Sequence, residues 1–152
     1  MKLNNIINRI KQININIKFV GEFDNNNLRT GYWEYYHSNG KILGKGNYIN
    51  GKKEGVWECF YYNGLIHSKG HYFNGYKDGY WEEYWYNGNL FSKGNYINGK
   101  TDGYWEDYYS NGNLRSKGNY INNNKDGYWE FYWENGNINR KGNFINDKFY
   151  EL

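Results

Sequence analysis

A 24-residue stretch decides the fold of this chain: Gly79-Tyr-Trp-Glu-Glu-Tyr-Trp-Tyr-Asn-Gly-Asn-Leu-Phe-Ser-Lys-Gly-Asn-Tyr-Ile-Asn-Gly-Lys-Thr-Asp102. The same pattern returns without a gap in copies that begin at residues 31, 55, 79, 103 and 127, the last of them incomplete or altered. One tryptophan keeps its position in every copy, as Trp33, Trp57, Trp81, Trp105 and Trp129. A fixed period in this range is typical of repeat arrays, in which each unit packs against its neighbours.

Two turn signals divide each copy. The first is Asn87-Gly88 and its equivalents, a dipeptide suited to a two-residue type I′ hairpin in which both central residues have positive φ. The second is Asn98-Gly99 and its equivalents, with Asn122-Asn123 and Asn146-Asp147 as variants. Each copy is therefore predicted to contain two strands and two turns.

Counting outward from an Asn87-Gly88 loop predicts the register of the two strands. Tyr86 then pairs with Asn89, Trp85 with Leu90, Glu82 with Lys93, and Trp81 with Gly94. A glycine opposite the tryptophan leaves room for the indole, and this role falls to Gly46, Gly70, Gly94, Gly118 and Gly142. The Glu–Lys pairs are expected to set the register, each contributing about 0–1 kcal/mol because both partners are exposed.

Side-chain alternation along the strands assigns the two faces of the sheet. One face is predicted to be packed, with Trp81, Trp85, Leu90, Ser92, Gly94 and Tyr96 and their equivalents. The other face is predicted to be open to water, with Tyr80, Glu82, Tyr84, Lys93, Asn95 and Ile97.

Successive hairpins of this kind predict an all-β fold. The expected architecture is an elongated, twisted single antiparallel sheet of about ten or eleven strands. Residues 1–17 are predicted to cap the array, with a short helix as one form of the cap, and residues 18–148 form the array, which starts with a half repeat at 18–30. Residues 149–152 are predicted to be a C-terminal tail.

Composition and charge narrow the function. The chain has 152 residues, 22% of them aromatic, and a net charge of only +3 with lysines and acids interleaved, which argues against nucleic acid as a partner. The single Cys59 cannot form an internal disulfide, and we found no signal peptide or membrane span, so a cytoplasmic location is expected.

Reactive side chains do not form a catalytic or metal-binding pattern. His37, His67 and His71 fall in different repeat positions, and no histidine lies at a fixed offset from Cys59. The repeated glutamates are explained by their cross-strand lysines, and Asp78, Asp102 and Asp126 are read as acceptors of backbone N–H groups at turns. The sequence thus predicts no enzyme activity, no metal and no cofactor.

The unit Gly79–Asp102 resembles a MORN repeat (membrane occupation and recognition nexus), and more closely the variant found in bacterial antitoxin-like proteins. The resemblance covers about residues 18–148. It implies an elongated, curved sheet of hairpins that serves as a scaffold or protein-interaction surface and in some members self-associates.

A protein partner is the favoured interpretation, with self-association left open and an antitoxin-like role as one specific form. Exposed aromatic rows suit a protein partner or, as one alternative, a carbohydrate. A second alternative is an anionic membrane, drawn to a rim of lysines that includes Lys53, Lys77 and Lys125. The predicted binding residues are the open-face aromatic row and a variable position beside it: Tyr36, Phe60, Tyr84, Tyr108, Tyr132, His67, Phe91 and Arg115.

Overall fold

The computed structural model describes residues 18–152, so the predicted N-terminal cap lies outside the described residues. Within residues 18–152, one antiparallel sheet contains twelve strands, and their order in the sheet is their order in the chain. The strands are β1 (Lys18–Phe23), β2 (Arg29–Tyr36), β3 (Ile42–Ile49), β4 (Lys52–Phe60), β5 (Ile66–Phe73), β6 (Tyr76–Tyr84), β7 (Leu90–Ile97), β8 (Lys100–Tyr108), β9 (Leu114–Ile121), β10 (Asn124–Tyr132), β11 (Ile138–Ile145) and β12 (Lys148–Glu151). The predicted fold class is confirmed.

The strand count exceeds the predicted ten or eleven at the C-terminal end. Residues 148–151 pair with β11 as a further strand, with Phe149 opposite Phe144, although the prediction treated residues 149–152 as a tail. At the other end, the half repeat contributes β1, which pairs with β2.

The second turn of each repeat is the type I′ turn. Asn98 and Gly99 both have positive φ, 50° and 80°, and Ile97 pairs with Lys100 across them. Asn123 and Asp147 adopt the same conformation in the positions where other copies have glycine. Asparagine and aspartate tolerate this region better than other non-glycine residues, so the variants preserve the turn.

The first turn differs from the predicted two-residue loop. Only Gly88 has positive φ there, and the N–H of Gly88 donates to the carbonyl of Trp85 at 2.9 Å. The N–H of Trp85 donates to the carbonyl of Asn89, which closes a three-residue loop, Tyr86-Asn87-Gly88. The predicted pairs Tyr86–Asn89 and Trp85–Leu90 are therefore wrong, because a type I turn followed by a left-handed glycine shifts the register by one residue.

A β-bulge restores the predicted register two residues further on. Tyr84 pairs with Leu90 and Glu83 pairs with Ser92, so Phe91 is the extra residue. Beyond the bulge, the Glu82–Lys93 and Trp81–Gly94 pairs are confirmed. The same shift occurs in the other copies.

A second bulge lies between consecutive repeats. His71 pairs with Asp78 and Gly70 pairs with Trp81, which leaves Gly79 and Tyr80 without partners on that strand. The indole N–H of Trp81 donates to the carbonyl of His71 at 2.9 Å, so the tryptophan satisfies a backbone group beside the bulge. Trp57, Trp105 and Trp129 make the equivalent bond.

The buried core is a single row of aromatic rings along one face, which we call the indole face. The five repeat tryptophans are 0–5% exposed. Each packs edge to face between two rings of the Tyr48 position, as Trp81 does between Tyr72 at 5.1 Å and Tyr96 at 6.2 Å. Edge-to-face contact at these distances is favourable, so the row links all five repeats.

The glycines make room for the indoles, but across the repeat boundary. A Cβ on Gly94 would fall inside the ring of Trp105, from the next repeat, and the same holds for Gly46, Gly70 and Gly118. The expectation that each indole covers the glycine of its own hairpin is therefore wrong. Gly142 has no following tryptophan, and a Cβ there would meet the backbone carbonyl of Tyr150.

Candidate docking faces

The opposite surface, which we call the tyrosine face, carries an ordered network of charges. The hydroxyl of Tyr84 donates to Glu82 Oε2 at 2.6 Å, and Nζ of Lys69 lies 2.7 Å from the same oxygen. Glu82 and Lys93 are cross-strand partners as predicted, but their side chains do not form the predicted ion pair. Nζ of Lys93 instead lies 2.7 Å from Oε2 of Glu106 in the next repeat. The ion pairs therefore join hairpins to one another.

The network lowers the pKa of a carboxyl group and raises the pKa of a phenol. Hydrogen bonds from Lys117 and Tyr132 lower the pKa of Glu130 to about 2. Burial and the hydrogen bond to Glu82 raise the pKa of Tyr84. Both shifts favour a carboxylate held between an ammonium and a phenol at neutral pH.

The predicted aromatic row lies on this tyrosine face. Its members are half-buried, namely Tyr36, Phe60, Tyr84, Tyr108 and Tyr132. Four of the five donate their hydroxyls to the glutamate two residues earlier, so these phenols already have internal partners. More exposed rings flank them, such as Tyr80 and Tyr104 at 51% and 50%.

The variable position beside the first turn lies on the indole face, which corrects its predicted place on the open face. Phe91 packs against Trp85 at 4.6 Å and His67 packs against Tyr61 at 4.8 Å. The guanidinium of Arg115 lies over the ring of Phe91, and its Nη2 is 3.7 Å from Oδ2 of Asp107. Because the bulge adds one residue, Leu90 takes the tyrosine-face position opposite Tyr84 instead.

Two further positions on the indole face vary from copy to copy. One follows the core tryptophan by two residues and holds Tyr35, Cys59, Glu83, Asp107 and Phe131. The other precedes the first turn and holds His37, Tyr61, Trp85, Tyr109 and Trp133. Members of the second set bond to the next repeat, as Trp85 Nε1 does to the carbonyl of Tyr108 at 3.0 Å.

Cations cover the indole row. Nζ of Lys53, Lys77 and Lys125 lies 4.3–4.4 Å from the centroids of Trp57, Trp81 and Trp129, and Arg29 lies over Trp33 at 5.4 Å. These lysines were expected on a rim of the sheet, and that placement is wrong. Their position on the rings is explained by cation–π attraction, which is strongest over tryptophan.

The position of these cations over the tryptophans was not predicted, because each cation lies across the repeat boundary from its ring. The cation stands four positions before four of the five core tryptophans, and in the third copy the bulge at Gly79 lies between Lys77 and Trp81. Simple alternation does not reveal such a pairing across a bulge, although the recurrence of Arg29, Lys53, Lys77 and Lys125 at one spacing was a usable signal.

A cleft of about 510 Å³ opens on the indole face near the N-terminal end of the array. Tyr35, Tyr48 and Trp57 form part of its wall, and Arg29 and Lys53 lie over these rings. The lining also includes His37, Leu43, Cys59, Tyr61 and His67. A mostly aromatic wall with a few cations suits the recognition of a ligand or side chain.

Reactive groups remain dispersed in the part of the chain that the structure describes. Within residues 18–152, no three His, Cys, Asp or Glu side chains are grouped so that they could hold a metal ion. The same residues include no helix long and apolar enough to cross a bilayer. The turn carboxylates Asp78 and Asp102 accept backbone N–H groups of Asn98 and Asn122 as predicted, and Glu54 does the same for Asn74.

Comparison with known proteins agrees with the geometry. No curated protein gave a significant match. The family model described as MORN repeat variant matches residues 29–50, 53–74, 77–98, 101–122 and 125–146, more than half of the chain. Its repeats have the 24-residue spacing found here and begin two residues before each repeat glycine. MORN repeats are generally modules for protein or membrane interaction without enzyme activity. The chain therefore belongs to the MORN-repeat variant family.

Proposed function

We propose that this protein is a non-enzymatic scaffold that binds a protein partner through its indole face. The observation that carries the proposal is the distribution of sequence variation between the two faces. Positions on the tyrosine face are nearly identical among copies, with glutamate and lysine repeated in all five. The three variable positions described above lie on the indole face, where they give each repeat a different set of rings and charges.

Repetition and variation have different physical consequences. A surface that repeats one set of contacts is well suited to joining hairpins, as the Lys–Glu pairs between repeats do. A surface that changes along its length can match one partner in one register, because each position contributes a different contact. Half-buried rings such as Trp85 and Phe91 lose little conformational freedom on binding, which favours them as contact residues.

The membrane alternative loses much of its support from the cation positions. Lys53, Lys77 and Lys125 lie over core rings on the indole face, so they do not form a row along the rim of the sheet. Lys52 donates to Asn74 Oδ1 at 2.8 Å, within the turn region. A carbohydrate ligand would use the exposed rings of the tyrosine face, and that role remains a prediction, as does the antitoxin-like form of the function.

A pull-down with matched face variants tests the proposal. Tagged wild-type protein, a His67→Ala/Phe91→Ala variant and a Tyr80→Ala/Tyr104→Ala variant are compared in lysate of the source cells. We expect a stoichiometric protein that is retained by the tyrosine-face variant and lost by the indole-face variant. Circular dichroism melts check that both variants remain folded.

The opposite pattern would transfer docking to the tyrosine face and its row of Tyr36, Phe60, Tyr84, Tyr108 and Tyr132. Flotation with anionic liposomes and binding to a glycan array test the two alternatives. Saturable, salt-sensitive flotation without any protein partner would refute the proposal in favour of lipid.

A further inference from the structure

The cleft at the N-terminal end carries two cations without acidic partners. The guanidinium of Arg29 lies 5.3 Å from the ring of Tyr48, and Nζ of Lys53 lies 4.3 Å from the ring of Trp57. These two rings touch edge to face at 5.1 Å, so the cations occupy neighbouring places on one aromatic wall. Among residues 18–152, neither cation forms an ion pair, and residues 1–17 contain no Asp or Glu.

The next equivalent cation along the array, Lys77, is neutralised internally. Lys77, the counterpart of Lys53, contacts Glu83 Oε1 at 2.6 Å. Burial opposes the charge on Lys77, yet the hydrogen bond and attraction from Glu83 leave the pKa of Lys77 raised. Asp107 holds the same position in the fourth repeat and pairs with Arg115. In the cleft this acidic position is occupied by Tyr35 and Cys59, neither of which has a side-chain carboxyl group.

The cations of the last repeat, Lys125 and Arg140, also lie over aromatic rings, but they lie outside this cleft. Lys125 lies within 5.4 Å of the centroids of three rings, Trp129, Phe131 and Phe144. Arg140 lies over Phe131 and Phe149, and the lining of the N-terminal cleft reaches neither cation. What the N-terminal cleft adds is an opening of about 510 Å³ beside its two cations, lined by half-buried rings such as Tyr35 and Tyr61.

We propose that this cleft binds an acidic segment of the protein partner, with a carboxylate at Arg29 and Lys53 and an adjacent apolar or aromatic side chain against the half-buried rings of Tyr35 and Tyr61. The assignment rests on the proposed function and adds the chemistry of the partner. Arginine favours carboxylates because its planar donors match the two oxygens, and complementary charge fixes the register of a docked segment. A volume of about 510 Å³ admits side chains of this size.

The internal acids of later repeats suggest a direct test. Cys59→Glu places a carboxylate where Glu83 stands in the third repeat, so it should pair with Lys53 and occupy the site from within. Cys59→Gln is the matched control, because it has nearly the same shape without the charge. Short random peptides are selected against the full chain, and the affinities of the selected peptides are then measured by fluorescence anisotropy.

We expect the selected peptides to combine Asp or Glu with an aromatic or aliphatic residue. Cys59→Glu should weaken their binding about tenfold or more, while Cys59→Gln should stay within about twofold of the wild type. Peptides without an acidic preference, equal binding by both variants, or no selected peptides would each overturn the assignment. A further outcome separates the two proposals. If the selected peptides lack acidic residues but no longer bind the His67→Ala/Phe91→Ala variant, the indole face remains the docking surface and only the acidic cleft is refuted.

A lipid or inorganic anion could supply the same negative charge. Phosphatidylglycerol vesicles and inorganic phosphate are therefore tested with the same two variants. The cleft would be assigned to a lipid headgroup instead if Cys59→Glu abolished vesicle binding and acidic peptides failed to compete with the vesicles. Competition by millimolar phosphate alone, with no peptide binding, would likewise refute a peptide site.

Discussion

Replacing one core tryptophan should reveal how far the aromatic row stabilises the sheet. Trp81 is 2% exposed, and its indole packs between Tyr72 and Tyr96 beneath the ammonium of Lys77. Trp81→Ala removes these contacts at once and takes away the N–H that bonds to the carbonyl of His71. The middle of the array would then lose the link between two repeats.

The magnitude can be worked from the buried area. A tryptophan side chain that buries about 200 Å² contributes about 5 kcal/mol at 25 cal/mol per Å². That figure is an upper value, because unfolded chains already bury part of their apolar surface. Mutational data for large aromatic residues give about 3–5 kcal/mol, so we expect a loss of about 4 kcal/mol for Trp81→Ala.

Trp133→Ala is the matched control. Trp133 is 55% exposed and lies outside the buried row, so the same chemical change should cost less than about 1 kcal/mol. Urea unfolding followed by circular dichroism measures both losses, and hydrogen exchange shows whether the Trp81 variant opens first around β5–β7. Similar losses for the two variants would refute the view that the indole row is the main stabilising core.

Two other changes test the glycine contacts and the charge network. Gly70→Ala should lower the free energy of unfolding in urea by about 1–3 kcal/mol, because its Cβ would fall inside the ring of Trp81. Gly44→Ala is the control and should be tolerated, because its Cβ would meet only atoms at 3.5 Å. Equal losses for the two variants would contradict the close-approach explanation. Glu130→Gln tests pH dependence: Lys117 helps hold the folded-state pKa of Glu130 at about 2, against about 4.3 in unfolded chains. The carboxylate therefore stabilises the fold above pH 4.3, and this contribution is lost as pH falls towards 2. Thermal melts should show a wild-type advantage over Glu130→Gln at pH 6 that disappears near pH 2, and a constant difference across this range would count against the ion pair.

The faces could be predicted from the sequence only up to the bulges. Alternation correctly placed Trp81, Ser92 and Gly94 together, because residues beyond the bulge recover the expected pairing. It misplaced Leu90 and Phe91, since one extra residue reverses which side chain points to which face. The predicted binding set was consequently divided between two opposite faces, with Phe91 on one and Tyr84 on the other.

Side-chain contacts between repeats also could not be predicted from the sequence pattern. Lys93 has a glutamate directly opposite on each side, Glu82 and Glu106, so pairing alone could not tell which would form the ion pair. The same ambiguity applies to Gly94, which lies between Trp81 and Trp105. The choice depends on the twist of the sheet and on the direction of each side chain, which are properties of the assembled strands.

The repeat period, the positions of the turns and the all-β class follow from the sequence alone, because glycine, asparagine and alternating side chains act over a few residues. The conformation of each turn, the partner of each lysine and the cleft on the indole face depend on the tertiary structure. These features depend on which of its two neighbouring strands each side chain contacts. That choice is made by the β-bulges and the twist of the sheet, which involve strands from different repeats.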